Sequence, residues 1–300
     1  MIYTVTFNPA IDYVVHIDNL ETGKIQRSKS QNIYFGGKGI NVSIILKELS
    51  VPSTALGFIA GFSGKAIEDG ISCNEIKTDF VTLNSGLTRI NVKIRSEEET
   101  DINGNGPEIT DSDIDKLFSK LECLKDEDFL ILAGSIPNTL PFDIYEQILA
   151  KLENKKIKFV VDAEKDLLLN SLKYKPFLIK PNCEELSEIF GTEISTAGMC
   201  LEYAKKLKDM GALNVLVSMG DKGAVLLDQN GEEYFMKAPV GKTVNTVGAG
   251  DSMVAGFIAG YIETNDYSYA LKLGTASGAA TAFSDGLATK KMIFEILKEK

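Results

Sequence analysis

Two glycine-rich segments of this chain carry the residue types best suited to binding an anion or a polyol. The first is GGKGIN (36–41), and the apolar positions Ile44, Ile45 and Leu49 that follow it predict a helix. Glycines allow backbone N–H groups at the positive end of a helix to face a ligand. A plain strand-to-helix turn can have the same sequence, but Lys38 and Asn41 favour ligand binding.

The second segment, NTVGAGDS (245–252), places Asp251 in the first turn of a helix rich in small residues. Free amides at that turn form an anion pocket beside a carboxylate. Aspartate is also a common residue in the first turn of an ordinary helix. Simple capping does not need two preceding glycines, so Gly248 and Gly250 favour a role in chemistry.

The remaining reactive residue types exclude several classes of site. His16 is the single histidine, so no site can use two imidazoles, and its strand-like neighbours predict a structural role. The spacings between successive cysteines are 50, 60 and 17 residues, so no CxxC pair exists and free thiols are expected; the cysteines are Cys73, Cys123, Cys183 and Cys200. GKT (241–243) lacks the upstream Walker A glycine, since Met236 stands there, which disfavours a P-loop kinase. No GxGxxG follows the first strand, so the fingerprint of a dinucleotide-binding Rossmann domain is missing.

Length and charge exclude other classes of protein. The chain has 300 residues, a formal net charge of -10, 44% hydrophobic and 25% charged residues, which is ordinary globular usage and disfavours nucleic acid as a partner. The longest membrane-like stretch, 252–262, is shorter than the ~20 residues of a membrane-spanning helix. MIYTVTF (1–7) predicts a β-strand rather than a signal peptide. We therefore expect a cytoplasmic protein with no membrane partner.

Apolar runs of strand length alternate with helix-period segments after residue 50. The runs at 54–60, 129–133, 158–162, 177–180 and 214–218 are typical of buried parallel strands. Between them lie amphipathic patterns such as Ile144, Ile148, Leu149 and Leu152, and a second set at 200–207. This order predicts a doubly wound α/β structure. The small residues of 248–260 and 274–282 predict helices that approach another backbone or a flat ligand closely.

Two segments, 12–35 and 88–96, break this rhythm because they alternate polar and apolar residues without an intervening helix. The pattern predicts a small antiparallel β-sheet lid with one exposed face. No linker and no internal repeat is visible, so we expect one domain over 1–300. The open edges and apolar face of such a lid predict a homodimer formed through it.

The ordered set of motifs resembles the phosphofructokinase-B branch of the ribokinase-like carbohydrate kinases. It comprises FNPAID (7–12), GGKGINVS (36–43), TRINVK (88–93), AGSIPNTLP (133–141), KPNCEEL (180–186), VSMGDKGA (217–224) and NTVGAGDSMVAGF (245–257). One such motif is weak evidence, whereas the ordered set is strong. The resemblance implies a ribokinase-like three-layer α/β/α fold with a central, mostly parallel sheet and a small β-sheet lid. It also implies ATP and Mg²⁺ as cofactors.

The resemblance also implies site residues. Asp251 matches the catalytic base, which accepts the proton of a sugar hydroxyl, and the amides of Gly248, Ala249 and Gly250 would hold charge on the transferring phosphoryl group. The positions that match substrate-binding residues are Asp12, Gly37, Lys38 and Asn41 for sugar hydroxyls, Arg27 and Arg89 for an existing phosphate, and Ser135 in AGSIP. Solvated strand charges are the alternative for Arg27 and Arg89, and an ordinary turn serine for Ser135.

On the nucleotide side, Asn182 and Glu185 fit the NxxE motif of the family, in which the acidic residue holds magnesium through water. A first-turn glutamate with no such role is the alternative. Ser218, Gly220 and Gly223 match the nucleotide-binding edge. Two departures weaken the match: DAEK (162–165) stands where relatives often carry a DTSG-like segment, and position 219 is Met where a small residue is frequent.

The activity that the resemblance implies is phosphorylation of a phosphorylated ketohexose. The segment DINGNGP (101–107) favours D-fructose 1-phosphate, phosphorylated at C6 to fructose 1,6-bisphosphate. The alternative is tagatose 6-phosphate, giving tagatose 1,6-bisphosphate. A non-catalytic sugar-phosphate sensor is a third reading, which the presence of Asp251, the GAG turn and the NxxE residues disfavours.

Overall fold

A central sheet of ten strands organises the computed structural model, which describes residues 1–298. Nine strands follow the order β14-β13-β12-β11-β10-β9-β1-β4-β5, and β6 pairs with β4. The strands are β1 (Ile2–Thr6), β4 (Ser53–Ala60), β5 (Lys77–Thr78), β6 (Val81–Leu83), β9 (Phe129–Ala133), β10 (Lys158–Asp162), β11 (Leu178–Ile179), β12 (Asn214–Ser218), β13 (Ala224–Leu227) and β14 (Glu233–Met236). All pairings are parallel except β12 with β13 and β13 with β14.

Ten α-helices lie within residues 1–298. They are α1 (Lys38–Glu48), α2 (Gly61–Ser72), α3 (Asp111–Leu121), α4 (Ile144–Leu152), α5 (Lys165–Ser171), α6 (Cys183–Phe190), α7 (Ala197–Asp209), α8 (Ala249–Thr264), α9 (Tyr267–Ala282) and α10 (Lys290–Lys298). Two short 3-10 turns, Leu172–Tyr174 and Gly220–Lys222, complete the helical structure described there.

Successive strand residues point to opposite faces of the sheet, and this alternation divides the core in two. On β9, Leu130 and Leu132 pack with the helices α3 to α7, whereas Phe129 and Ile131 pack with α1, α8, α9 and α10. Both faces are therefore covered, as parallel sheets require. The predicted three-layer α/β/α arrangement is confirmed, and the five predicted strand runs all lie in it, with 177–180 shortened to β11.

The lid is a separate four-stranded sheet, ordered β3-β2-β7-β8. Its strands are β2 (Ala10–His16), β3 (Ser30–Gly36), β7 (Arg89–Arg95) and β8 (Glu99–Ile102). The prediction of an antiparallel lid is wrong at its centre, where β2 and β7 run parallel. The reason is topological: β2 follows β1 and β7 follows β6, and both leave the same edge of the central sheet. The sequence pattern also missed β8.

The small residues of α8 and α9 serve helix packing. A Cβ on Gly256 would lie 2.5 Å from Ser277 Oγ and 2.7 Å from the Leu273 carbonyl oxygen, and one on Gly274 would lie 2.9 Å from the Met253 carbonyl oxygen. The two backbones therefore approach each other directly, and no flat ligand is needed to explain this composition. None of the helices within residues 1–298 has the length and apolar character needed to cross a membrane.

Candidate active site

The candidate site lies where the parallel strands of the central sheet end. The strands β1, β9, β10, β11 and β12 run in one direction, so their carboxyl ends share one edge. In open α/β sheets this edge is where ligands bind. The segments that leave it include Gly134 and Ser135 after β9, Asp162 at the end of β10, and Lys180 after β11.

The GGKG segment brings the start of α1 against β1. Gly37, the N-cap, has φ +124°, and a Cβ there would lie 2.5 Å from Thr6 Cγ2. A Cβ on Gly39 would lie 2.6 Å from Thr6 Oγ1 and 2.8 Å from the Val5 carbonyl oxygen. Both glycines are therefore required by the turn itself. No side chain caps this helix, so no capping side chain accepts from its first-turn N–H groups.

The GAG turn begins α8 in a similar way. Gly248 is the N-cap in the left-handed region (φ 79°), no side chain caps the helix, and Asp251 is its third residue. The Ala249 N–H donates to the Thr246 carbonyl oxygen at 3.2 Å. Of the amides predicted to hold transition-state charge, that of Ala249 therefore already has an internal partner.

The two glycine-rich segments meet at Asp251. Asn41 Nδ2 donates to Asp251 Oδ2 at 2.8 Å, across 210 positions of sequence. Asp251 is 5% exposed. Burial raises the pKa of Asp251 to about 6, and Asp162 adds to the shift, while the Asn41 hydrogen bond, Lys38 and Lys180 oppose it. The carboxyl group is thus poised to exchange a proton near neutral pH.

Beside Asp251 lies a cluster of opposite charges. Asp162 is 2% exposed, and its Oδ1 lies 3.6 Å from Lys38 Nζ and 3.4 Å from Lys180 Nζ. That oxygen has no hydrogen-bond partner within residues 1–298. A Cβ on Gly250 would lie 3.2 Å from Lys180 Nζ, so this buried ammonium abuts the GAG turn. The two ammonium groups and the uncapped turn are the kinds of group that bind anions such as phosphate.

The charges around Lys38 hold its ammonium in the charged form. Burial alone would lower the pKa of Lys38, but Asp162, Asp251, Glu185 and Glu164 outweigh this effect and raise it. An ammonium with a raised pKa stays protonated across the pH range in which Asp251 titrates. Lys38 can therefore neutralise a phosphate throughout that range.

Asp12 is fixed from the lid. Asn91 Nδ2 donates to Asp12 Oδ1 at 2.7 Å, and Lys93 Nζ lies 3.4 Å from Asp12 Oδ2. Asn91 Oδ1 in turn accepts from the Gly104 N–H at 3.2 Å. A Cβ on Gly36 would lie 3.5 Å from Asp12 Oδ2, so the carboxylate borders the GGKG segment. These contacts therefore orient the Asp12 carboxylate without the help of a ligand.

The two predicted phosphate-binding arginines have different surroundings. Arg89 begins β7 and is half-buried, and its Nε has no hydrogen-bond partner within residues 1–298. Burial lowers the pKa of Arg89, and Asp12 opposes that effect. A buried, unpartnered guanidinium nitrogen is expected where an anion binds. Arg27 lies exposed between β2 and β3, and within residues 1–298 no hydrogen bond or ion pair joins its side chain to the other site residues.

Ser135 is exposed in the loop after β9. It borders a cavity of about 600 Å³ that Lys38 and Gly134 also line. The Tyr145 hydroxyl donates to the Gly134 carbonyl oxygen at 2.8 Å, and the Gly134 N–H donates to the Asp162 carbonyl oxygen at 3.1 Å. The loop that carries Ser135 is thereby attached to the same strand end as the charge cluster.

Asn182 and Glu185 form a capping box. The Glu185 N–H donates to Asn182 Oδ1 at 2.7 Å, and the Asn182 N–H donates to Glu185 Oε2 at 2.8 Å. Glu185 therefore does cap the first turn of α6, which is the structural alternative to a role in magnesium binding. Burial raises the pKa of Glu185, and Asp162 adds to the shift, while the Asn182 N–H, Lys180 and Lys38 oppose it. One oxygen remains for another partner.

The segment after β12 lies beside Asn182. Asn182 and Ser218 form a parallel bridge, and the Ser218 N–H donates to the Pro181 carbonyl oxygen at 3.1 Å. Gly220 (φ 60°) has open space where a Cβ would stand, whereas a Cβ on Gly223 would lie 2.0 Å from the Met236 carbonyl oxygen. Gly223 is thus required by the neighbouring strand. Met219 is buried in the core, so it does not line this edge.

A magnesium ion is a good fit only if most of its ligands are not protein side chains. Within residues 1–298, no group of three or more histidine, cysteine or carboxylate side chains could hold a metal ion. Glu185 offers one carboxylate oxygen outside the capping box, and Asp162 Oδ1 accepts no hydrogen bond within residues 1–298, although it is paired with Lys38 and Lys180. Because Mg²⁺ keeps several waters and binds through one or two carboxylates plus phosphates, these residues are compatible with it.

Comparison with known proteins identifies the family. The profile of the pfkB family carbohydrate kinases matches residues 5–292. The chain belongs to the pfkB family of carbohydrate kinases. It is therefore a sugar kinase, which transfers phosphate to an alcohol, and the predicted ribokinase-like fold is confirmed.

Several members of the pfkB family are similar over their whole length. The 1-phosphofructokinase of Bacillus subtilis is 45% identical over 299 residues, which cover 100% of this chain and 98% of the relative. The D-tagatose-1-phosphate kinase of Bacillus licheniformis is 38% identical, with 96% and 94% covered. A Staphylococcus aureus crystal structure, described as a candidate phosphofructokinase, is 43% identical with a TM-score of 0.90, and 99% and 96% are covered.

Four residues of this candidate site were not assigned roles from the sequence. Asp162 and Lys180 end or follow buried strands, and that position was the available signal for them. Asn91 and Lys93 alternate with apolar residues on β7, which indicated a polar face without indicating that Asp12 lies on it. Only the pairing of β2 with β7 brings the side chains of Asp12, Asn91 and Lys93 together.

Proposed function

We propose that this kinase transfers the γ-phosphoryl group of ATP to the C6 hydroxyl of D-fructose 1-phosphate, giving fructose 1,6-bisphosphate and ADP. The observation that carries the proposal is the hydrogen bond from Asn41 to the buried Asp251, which joins the two glycine-rich segments in one cleft. The 45% identity to a 1-phosphofructokinase over the full chain supports the choice of substrate.

Asp251 acts as the base in this proposal. It accepts the proton of the C6 hydroxyl as the oxygen of that hydroxyl bonds to the γ-phosphorus and the bond to the leaving ADP oxygen breaks. The transition state is loose, so the proton moves late and position matters more than basicity. The amides of Gly248, Ala249 and Gly250 face the transferring group, with Gly250 better placed than Ala249, whose N–H is already engaged.

Lys38 and Lys180 would neutralise the charge on the transferring phosphoryl group. Both ammonium groups lie near the same Asp162 oxygen, and that of Lys180 also abuts the GAG turn at Gly250. Preorganised charges act strongly in a cleft that excludes water. Their role in this proposal is to bind and orient the phosphoryl group, leaving the proton to Asp251.

The sugar phosphate would lie between the lid and α1. Asp12, Gly37 and Asn41 would hold its hydroxyls, and Ser135 would contact it from the loop after β9. Arg89, with its unpartnered Nε, would bind the 1-phosphate. Arg27 is retained as a second phosphate ligand from the exposed segment between β2 and β3.

ATP would lie along the edge formed by Asn182, Ser218, Gly220 and Gly223, where Asn182 and Ser218 form a bridge. Glu185 would hold Mg²⁺ through water, and that ion would neutralise the negative charge on the ATP phosphates. The capping box keeps the Glu185 side chain at the start of α6, so its free oxygen is held in place.

Tagatose 1-phosphate is the second candidate substrate. The similarity to a D-tagatose-1-phosphate kinase supports this substrate. We therefore propose tagatose 1-phosphate as the alternative in place of tagatose 6-phosphate. Tagatose and fructose differ only in configuration at C4. A single hydroxyl contact therefore decides between the two sugars, and such a contact can discriminate by orders of magnitude.

A substrate panel tests the proposal. Phosphorylation of fructose 1-phosphate, fructose 6-phosphate, tagatose 1-phosphate and tagatose 6-phosphate would be followed by ADP release with Mg²⁺ present. We expect the highest kcat/KM with fructose 1-phosphate. A higher value with a tagatose ester would overturn the substrate, and turnover of none would favour the sugar-phosphate sensor instead.

We also propose a homodimer formed through the lid. The lid face that carries Ile33 and Ile102 is apolar, and each of these side chains is 58% exposed. A second copy of the same sheet is the occupant that would cover it. Mass measurement in solution should give about twice 32.7 kDa, and Ile33→Glu should shift it to one chain. A monomeric unmodified protein contradicts this proposal.

The cytoplasm is the proposed site of action.

A further inference from the structure

Two of the four cysteines lie in contact between neighbouring helices. Cys183 Sγ and Cys200 Sγ are 3.4 Å apart, with Cys183 at the start of α6 and Cys200 in the first turns of α7. A disulfide needs an S–S distance of about 2.05 Å, so the sulfur atoms must approach by about 1.4 Å. The other two, Cys73 and Cys123, are exposed at distant positions.

The two sulfur atoms differ in access. Cys183 is half-buried, whereas Cys200 is fully buried. Burial raises the pKa of Cys200 to about 12, and the neighbouring Cys183 adds to the shift, so the thiol of Cys200 stays protonated. An oxidant from solvent therefore meets Cys183 first, and Cys200 is placed to react with it afterwards.

We propose that Cys183 and Cys200 form a reversible disulfide when a peroxide oxidises the protein, and that this bond weakens nucleotide binding. The first part stands on the contact between the thiols. The second part rests on the proposed function, because it assumes that ATP binds at the start of α6.

The chemistry balances in two steps. The Cys183 sulfur attacks one oxygen of hydrogen peroxide, the O–O bond breaks, and the departing hydroxide takes the thiol proton and leaves as water. The Cys200 sulfur then attacks the sulfenic acid sulfur, the S–O bond breaks, and the hydroxyl leaves with the Cys200 proton as a second water. The two thiols lose two electrons, which the peroxide gains, and a dithiol reductant reverses the reaction.

The disulfide would act directly on the predicted nucleotide edge. Cys183 stands between Asn182 and Glu185, which form the capping box. Its carbonyl oxygen accepts from Ser187 Oγ at 2.7 Å, and that hydroxyl accepts from the Ile194 N–H at 2.9 Å. Because the backbone of Cys183 is held in this way, movement of its sulfur towards α7 strains the first turn of α6.

The other end of the disulfide is connected to the second nucleotide segment. Lys222, in the 3-10 turn Gly220–Lys222, donates from Nζ to the Ser195 carbonyl oxygen at 3.0 Å, just before α7. The elements that carry the cysteine pair are thus connected to both segments proposed to bind ATP. The predicted sugar ligands Asp12 and Arg89 belong to the lid. Oxidation should therefore change the KM for ATP and not the KM for the sugar phosphate.

The experiment uses the full chain with Cys73→Ser and Cys123→Ser, which leaves only the pair and removes two exposed thiols. This background should match the unmodified protein in activity. After treatment with hydrogen peroxide, we expect no free thiol and a single Cys183–Cys200 cross-linked peptide by mass spectrometry. The KM for ATP should rise about tenfold, equivalent to about 1.4 kcal/mol of binding. The KM for the sugar phosphate should not change, and dithiothreitol should restore the original value.

The matched control adds Cys183→Ser to the same background, so that one thiol remains and no intramolecular bond can form. Recovery of Cys183 as sulfinic acid with Cys200 still free would overturn the disulfide. A disulfide that leaves the KM for ATP unchanged, or an equal rise in the control, would overturn its effect on nucleotide. The thiol count and the cross-linked peptide need no activity, so they stand apart from the proposed function. A reduced protein inactive on every ketose phosphate refutes that function alone.

Discussion

At Asp251, burial and neighbouring charge act on one carboxyl group in opposite directions. Burial and Asp162 raise its pKa to about 6, while Asn41 and the two lysines limit the rise. A base is most effective when its pKa lies near the working pH, because it is then both deprotonated and able to accept a proton. The environment of Asp251 is therefore suited to the proton transfer that we propose.

The pH dependence of kcat should report this group. A base must be deprotonated to act, so activity should be full above the pKa of Asp251 and be lost as the pH falls through about 6. Replacing Asp162 with Asn removes a charge that raises this pKa, so the acid limb should move to lower pH. Steady-state rates between pH 4.5 and 8.5 measure both profiles.

Two features make this pH measurement specific. The second ionisation of a phosphate monoester also lies near pH 6, but it belongs to the substrate and does not move with the enzyme variant. Asp166→Asn, in the exposed first turn of α5, is the matched control and should leave the profile unchanged. An acid limb that stays in place in Asp162→Asn, or moves upward, contradicts the assignment of Asp251 as the titrating base.

The residues of the two glycine-rich segments were predictable from the sequence, whereas their partners were not. Asp251 and Asn41 stood out because glycines surround them, and their contact across 210 positions supports that interpretation. Asp162 and Lys180 have no such local signature, since their meaning comes from three strands that end side by side. A residue whose role depends on strand neighbours is not visible in one sequence.

At the scale of elements, the glycines of the GGKG segment set how α1 meets β1. Gly37→Ala introduces a Cβ at φ +124° and 2.5 Å from Thr6 Cγ2, so it should lower the free energy of unfolding by about 1–3 kcal/mol. Gly198→Ala is the matched control, because Gly198 lies in α7 and no atom stands within 4 Å of the place that a Cβ would take there.

Urea unfolding of both glycine variants measures the difference. Gly198→Ala should be neutral or stabilising by up to about 1 kcal/mol, since alanine is the better helix former. If Gly37→Ala is as stable as the unmodified protein, the turn does not depend on glycine there. The GGKG segment would then owe its composition to ligand contact alone.

The lid strand β7 carries two arginines on one face with different surroundings. Arg89 Nε has no partner within residues 1–298, whereas Arg95 Nη1 donates to Asp101 Oδ1 at 2.7 Å. Arg89→Met should therefore raise the KM for the sugar phosphate about 100-fold, the loss of a charge-assisted pair with its phosphate. Arg95→Met should change it little, because that arginine already has an acidic partner.

Initial rates at varied sugar phosphate concentration measure this pair of variants. Equal effects at the two positions would mean that β7 acts through the stability of the lid and not through phosphate binding.

The sequence identified the polar face of β7 by its alternation, but it could not reveal that β2 and β7 are parallel, since strand direction in the lid is set by β1 and β6 outside it.

At the scale of the molecule, periodicity predicted the layers well. Buried strand runs and amphipathic helices alternate along the chain, and right-handed connections leave few ways to stack them. The sequence could not separate helix packing from a nucleotide pocket in α8 and α9, because small residues serve both. The structure shows that Gly256 and Gly274 serve packing, since a Cβ on either would meet the other helix. One domain over 1–300 remains a prediction.

The two ends of the cleft also have different origins in the fold. The proposed sugar end combines the lid with α1, whereas the proposed nucleotide end combines α6 with the segment after β12. Asp251, in the first turn of α8, contacts Asn41 of α1. A change at either end should therefore affect one substrate more than the other, and only a change at Asp251 should stop the transfer itself.

The turnover of Asp251→Asn with fructose 1-phosphate and ATP tests this account most directly. The amide keeps the size of the side chain but cannot accept the proton, so kcat should fall about 10³-fold, while binding of fructose 1-phosphate stays within about threefold. Asp115→Asn, exposed on α3, is the control and should keep full activity. A kcat for Asp251→Asn close to that of the unmodified protein would contradict the proposed phosphoryl transfer.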